Sequence, residues 1–248
     1  GMQVVNNFNE LKSAVDKTKN LAKKAFGNSD IFLEKFIRNS RHIEIQVFGY
    51  GEKSAVHFYE RDCSIQRRFQ KIIEESPAPK VDQSIIKKMA EMSVKFASDQ
   101  KYEGAGTIEF IYDIDQKKFY FLEMNTRIQV EHPVTEEITG VDLVELQIKY
   151  ALNLNSTRVL QNDIIKKGNS LECRLYAEDP KKNFLPSPGK ISKLRLPEVT
   201  KDIRIDIGVG EGDEISFYYD PMIAKIIAKG ENRYEAIKKM KSFLESFV

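Results

Sequence analysis

Apolar residues recur near the start of the chain at Phe8, Leu11, Val15, Leu21, Ala22 and Phe26, with Gly27 and Asn28 as a stop, and this spacing predicts an amphipathic helix over 8–26. The period then shortens. IFLEKFI at 31–37, HIEIQVFGY at 42–50 and SAVHFYERD at 54–62 read as strands, the last two joined by a turn at Gly51 and Glu52. Pro77 and Pro79 break the pattern, and VDQSIIKKMAEMSVKFASDQ at 81–100 is helical again. TIEFIY at 107–112 and FYFLEMN at 119–125 alternate as strands around DIDQKK at 113–118, which predicts a hairpin. From Thr135 to Leu152 the spacing of Val141, Leu143, Val144, Leu146 and Ile148 predicts a largely apolar, buried helix. A polar stretch at 154–169 loosens the pattern and marks a domain boundary at 168/169. Beyond it come short strands punctuated by PSPG, GVGEGD and YYDP, and then an amphipathic run at 232–248. The class is α+β, with antiparallel sheets and helices.

Composition narrows the function classes. A chain of 248 residues that is 41% hydrophobic supports a sizeable core, as one large or two ordinary domains. Its 39 Lys and Arg against 37 Asp and Glu leave a net charge of +2, so no global basic field argues for nucleic acid. Cys63 and Cys173 show no metal or redox spacing, which points to packed, reduced thiols and a cytoplasmic location. No apolar run approaches the roughly 18 residues of a membrane helix, and no membrane partner is expected.

The densest chemistry lies at 119–135, FYFLEMNTRIQVEHPVT. Strand alternation puts Glu123 and Asn125 on one face with Phe121 beside them, and Glu109 joins them if it pairs opposite Glu123. Three hard oxygen donors suit a cation that keeps waters and phosphate oxygens, the habit of magnesium rather than zinc, so Mg-nucleotide is the expected ligand. Two acids in a chain that is 31% charged are more often a solvated sheet face. The flank changes that balance, because Arg127, Gln129 and Glu131 continue the line with a cation, an amide and a carboxylate.

These residues also carry a resemblance. EMNTRIQVEHPVTE at 123–136, RHIEIQVFG at 41–49, ERDCSIQRRFQKIIEESPAP at 60–79 and ECRLYAEDPKKNFLPSPGKI at 172–191 together resemble biotin carboxylase. This is the ATP-grasp component of acetyl-CoA, propionyl-CoA and pyruvate carboxylases, which uses MgATP and bicarbonate to carboxylate carrier-bound biotin. The resemblance implies a lid remnant at 1–36, an incomplete ATP-grasp core at 37–168 and a truncated biotin carboxylase C-terminal domain at 169–248. Gly1 and Met2 coincide with the end of the family's glycine-rich phosphate loop, so the chain is expected to be an internal fragment without activity of its own. A folded interaction module is the alternative reading.

The resemblance also assigns roles. Glu34 would contact the adenine ribose and Lys35 the adenine through its backbone, with His42 and Gln66 near the nucleotide. Glu109 and Glu123, assisted by Asn125, would hold Mg2+ or Mn2+ on ATP. Lys71 would reach bicarbonate, although with Arg67 and Arg68 it also reads as a solvated turn. Arg127 would hold bicarbonate bidentately, with Gln129 and the Val130 amide completing the cradle. Glu131 would take the bicarbonate proton, so that carboxyphosphate can form. Arg174 would stabilise the biotin enolate, with Asp220 as its orienting partner. Phe69 is a departure, since many relatives carry His there; His132 reads as readily structural as catalytic. The implied partners are a biotin carboxyl carrier protein or domain, a carboxyltransferase component and, in a full-length parent, a second copy. The final acyl acceptor is open, and the absence of an AMKM biotin-attachment motif favours an acetyl-CoA carboxylase subunit of fatty-acid synthesis.

Overall fold

The structure is a computed structural model that describes residues 2–52, 54–154 and 158–246. Gly1, residues 155–157 of the loosened stretch and the last two residues of the C-terminal run lie outside the described residues. The chain divides into two compact units, Gly1–Ser40 and Arg41–Val248.

The first unit holds helix α1, Phe8–Phe26, as the apolar spacing predicts. Asn7 caps it by accepting from the amides of Asn9 and Glu10, and Gly27 ends it at φ 72°. The predicted strand at 31–37 does not form. A strand is held by ladder hydrogen bonds to a neighbour, and this segment has none among the described residues, leaving Phe32, Leu33 and Phe36 exposed.

The second unit runs β1 Ser40–Tyr50, β2 Ala55–Arg67, β3 Gln70–Ser76, α2 Gln83–Asp99, β4 Glu103–Asp113, β5 Lys118–Asn125, α3 His132–Thr139 and α4 Leu143–Ala151. It continues with β6 Asn169–Tyr176, β7 Glu178–Asp179, β8 Leu185–Pro186, β9 Gly189–Lys190, β10 Ile203–Ile207, β11 Glu214–Ile215, β12 Met222–Gly230 and α5 Arg233–Glu245. Eight strands form one sheet in the order β10-β12-β6-β3-β2-β1-β4-β5, and β7 with β8 and β9 with β11 make two-stranded ribbons. Strands from both sides of 168/169 share this sheet, because β6 pairs antiparallel with β3. Among the described residues no helix is long and apolar enough to cross a membrane.

Three local differences from the sequence pattern shape the site. The charged run at 64–75 is a hairpin rather than a turn: β2 continues to Arg67, and Arg68 and Phe69, at φ 52° and 65°, reverse the chain into β3. The single helix expected at 135–152 is two helices, because Gly140 closes α3 at φ 71° and Asp142 caps α4 by accepting from the Glu145 amide. The hairpin of β4 and β5 pairs Glu109 with Glu123 as anticipated, but a bulge inserts Leu122, so Phe110 pairs with Phe121. Phe121 therefore leaves the acidic face and packs its ring 6.5 Å from Phe110 and 6.0 Å from Phe96 of α2.

At β1 the sheet is buried on both faces. On β1, Ile43, Ile45 and Val47 pack with Met89 and Ala90 of α2 and with Ile108 and Phe110 of β4. Glu44 and Gln46 alternate with them, point the other way and are equally buried. Helix α3 covers that second face across β2, β3, β6 and β12.

Candidate active site

Arg61 of β2 organises the polar face. It is completely buried, and its five N–H donors are all used. Nε donates to Glu44 at 2.5 Å, Nη1 to Gln46 at 2.5 Å and Thr135 at 3.0 Å, and Nη2 to Thr107 at 3.0 Å and Gln129 at 3.2 Å. One guanidinium thus ties β1, β4, the segment after β5 and α3 to β2.

Lys71 stands beside this hub on β3. Its ammonium donates to Glu44 at 2.6 Å, Glu109 at 2.9 Å and Glu131 at 2.5 Å. Glu131, at the start of α3, is 2% exposed, and its other oxygen accepts from Arg174 Nη2 at 3.1 Å. Arg174 is fixed from behind by Glu74, which accepts from its Nε at 2.6 Å. A carboxylate is thereby suspended between two cations from β3 and β6.

The acidic hairpin borders this cluster. Asn125 Nδ2 donates to Glu109 at 3.0 Å and to Glu123 at 3.3 Å, while its Oδ1 accepts from Arg127 Nη2 at 3.3 Å. Gln129 Nε2 also donates to Glu109, at 2.8 Å. His42 reaches Glu109 from β1, with Nε2 2.9 Å from Oε2, and its Nδ1 accepts from Gln66 Nε2 at 3.0 Å. Strand β5 ends at Asn125, so the alternation through 127, 129 and 131 is not strand geometry. The chain turns there, burying Gln129 and Glu131 and leaving Arg127 exposed. Behind the turn, Lys225 of β12 donates to the Val130 carbonyl at 2.8 Å.

The charges of the cluster are mutually determined. Burial pushes the Glu44 carboxyl up, but Arg61 and Lys71 more than offset this and hold it at about 2. Burial likewise raises Glu109, and the His42 hydrogen bond with the Lys71 charge brings it down to about 2. Lys71 is pulled down by burial and raised well beyond its ordinary value by Glu44, with Glu131 and Glu109 adding to the effect. Cys63 is pushed well up by burial and by Glu44, so it sits as a packed thiol.

Glu34 and Lys35 belong to the first unit, where Glu34 is exposed and outside any strand. Phe69 is 79% exposed at the hairpin reversal. Asp220 does not orient Arg174: its carboxylate accepts from the Met222 amide and from Gln70, and Glu74 takes the orienting place. Sequence reasoning assigned no role to Glu44, Gln46, Arg61, Glu74 or Lys225. The available signal was the pair of polar residues inside HIEIQV, which on a strand buried on both faces must point at partners.

A family model described as the carbamoyl-phosphate synthase L chain, ATP binding domain, matches residues 1–158, and one described as the biotin carboxylase C-terminal domain matches residues 172–248. The chain belongs to the biotin carboxylase family. Biotin carboxylase 1 of Bacillus subtilis is 48% identical over 248 residues, covering 100% of this chain and 55% of that protein. The mitochondrial methylcrotonoyl-CoA carboxylase subunit alpha of Mus musculus is 45% identical over 247 residues, covering 100% of this chain and 34% of that protein. The biotin carboxylase domain dimer of Hydrogenobacter thermophilus 2-oxoglutarate carboxylase, solved with MgADP, ADP and bicarbonate, matches with a TM-score of 0.92 and 44% identity over 99% of this chain and 54% of that one. The chain thus spans about half the length of these biotin carboxylases. The fold is that of an ATP-grasp domain followed by the biotin carboxylase C-terminal domain.

Proposed function

We propose that this chain forms the reacting face of a biotin carboxylase, which uses MgATP and bicarbonate to carboxylate biotin on a carrier. The observation that carries the reading is Glu131 held between Lys71 and Arg174 beside the Glu109, Glu123 and Asn125 hairpin. Such a cluster can hold an anion, a cation-bound phosphate and a mobile proton within one hydrogen-bonded network.

In this reading Arg127 clamps bicarbonate through two parallel N–H donors, with Lys71, Gln129 and the Val130 amide as further anion contacts. Glu131 takes the bicarbonate proton, and the freed oxygen attacks the γ-phosphorus of ATP, breaking its bond to ADP and giving carboxyphosphate. Carboxyphosphate splits to CO2 and phosphate, the phosphate takes the N1 proton of biotin, and N1 bonds to CO2. Arg174 faces the ureido oxygen where enolate charge develops. Glu109, Glu123 and, after a half-turn of its amide, Asn125 offer oxygen donors that fit Mg2+ or Mn2+. The bound ion would neutralise charge on the phosphates. His42 and Gln66, linked to Glu109, and Glu34 and Lys35 in the first unit remain our candidates for nucleotide contacts.

The domain division at 36/37 and 168/169, the carrier and carboxyltransferase partners, pairing with a second copy and a cytoplasmic location belong to the same proposal. The buried, free Cys63 and Cys173 support a reducing compartment. Relatives named for different acceptors carry this segment, and acetyl-CoA as the final acceptor is part of the same proposal. The test is bicarbonate-dependent release of phosphate from MgATP, with carboxylation of free biotin, by the protein at the full length of its relatives. Both activities are expected together. ATP hydrolysis without bicarbonate dependence would overturn the reading.

A further inference from the structure

Glu74 of β3 and Glu172 of β6 are direct partners in an antiparallel ladder, so their side chains leave the sheet on the same face. Both are completely buried. Three of their four carboxylate oxygens, Glu74 Oε2 and both oxygens of Glu172, have no hydrogen-bond donor among the described residues. The fourth, Glu74 Oε1, accepts from Arg174 Nε at 2.6 Å, and Arg174 Nη2 extends to Glu131 at 3.1 Å. The charged and titratable groups around the pair are Cys173, Arg174 and Tyr176 of β6, Lys225 of β12 across from Arg174, Glu131 at the start of α3, Glu44 of β1 and Cys63 of β2.

Two facing carboxylates in a dry layer, with one guanidinium engaged by one of them, cannot both keep their charge cheaply. A proton on the pair removes one charge and supplies one donor where three oxygens have none. We propose that Glu74 and Glu172 share one proton, carried by Glu172, and that the singly charged pair is a positioning unit that holds Arg174 against Glu131. The proton itself follows from the packing alone; its consequence for Arg174 rests on the function proposed above. The acidities agree. Burial and the Glu74 charge push Glu172 well above the ordinary carboxyl range, and burial pushes Glu74 to about 7 despite Arg174.

A carboxyl raised in the folded state gives stability that is present below its unfolded value and lost as pH rises through its folded value. Thermal unfolding of this chain from about pH 6 to about pH 9 should therefore show a midpoint falling by roughly 3 °C or more. Infrared spectra at neutral pH should show a protonated carboxyl band. In Glu172→Gln, whose neutral amide keeps the donor, the band should lose intensity and the alkaline fall should shrink, with buried Glu60, whose two oxygens also have no donor among the described residues, left to contribute a residual band. An undiminished band and fall in the variant, or failure of the variant to fold, would overturn the shared proton.

The positioning role is read separately at full length. Glu74→Gln should lower kcat for biotin carboxylation by about tenfold while the KM for MgATP stays within about twofold. An unchanged kcat, or equal loss in both constants, would overturn that role. Absence of carboxylation in the unsubstituted protein would instead count against the function, leaving the infrared result to decide the proton.

Discussion

The two faces of β1 are made by alternate residues of one strand, are equally buried, and are held together by different physics. Toward α2, Ile43, Ile45 and Val47 join Met89, Ile108 and Phe110, where stability scales with apolar area and any well-packed set of similar volume would serve. Toward α3, Glu44 and Gln46 meet Arg61, whose five donors each have one acceptor. Burying ions costs desolvation, which Arg61 and Lys71 offset at Glu44, but a well-packed apolar set of similar volume carries no such cost, so the second face is a poor way to gain stability. Its value is positional. It fixes Lys71, Gln129 and Glu131 relative to one another by tying the turn that carries Gln129 to the strands.

Substitutions can break this contrast. The largest effect is expected at Arg61: Arg61→Met leaves the buried Glu44 Oε1 and the acceptors Gln46, Thr107, Thr135 and Gln129 without this donor, and should cost about 4 kcal/mol in urea unfolding. A cost below about 1 kcal/mol would mean the hub is not structural. Next comes Ile45→Ala on the apolar face, which should cost about 3 kcal/mol by leaving a cavity, with a cost that does not change with pH. The same titration applied to Glu44→Gln should give a pH-dependent difference. Glu123→Gln separates chemistry from stability: at full length it should cut bicarbonate-dependent turnover by at least about 100-fold. Because Glu123 is exposed, unfolding of this chain should change by less than about 0.5 kcal/mol. Unchanged turnover would remove the hairpin from the metal site.

The smallest effect is the acid limb of the unfolding curve. Glu44 and Glu109 are both held at about 2, below the ordinary 4.5. A depressed carboxyl gives stability that is present above its unfolded value and lost as pH falls through its folded value. Stability should therefore decline from about pH 4.5 toward about pH 2, more steeply in the unsubstituted chain than in Glu44→Gln. Parallel acid limbs would show that the polar face does not hold these charges as described.

How much was legible in the sequence follows the range over which each feature is specified. The pairing of Glu109 with Glu123 and helices α1 and α2 rest on local periodicity and turn chemistry, and these were readable. The β2–β3 hairpin was not, because its reversal uses Arg68 and Phe69 in left-handed conformations instead of glycine or asparagine. The side taken by Phe121 depends on one bulged residue, which no alternation pattern contains. Glu74 holds Arg174 from 100 residues away, and Asp220, closer to Arg174 in sequence, is turned to its own loop. The family's motifs named Glu131, Lys71 and Arg174 without showing that they touch.

The central claim is that the clamp on Glu131 serves proton removal from bicarbonate, and it is tested most directly by Glu131→Gln at full length, with nucleotide binding and turnover measured on the same preparation. An amide keeps the shape but cannot accept the proton. MgATP affinity by calorimetry should stay within about twofold while bicarbonate-dependent phosphate release is abolished. Arg174→Ala should retain both MgATP and bicarbonate binding and lose biotin carboxylation, a loss of about 3 kcal/mol in transition-state stabilisation. If both variants instead lose MgATP affinity to the same extent, Glu131 and Arg174 are structural members of the polar face and the account is wrong.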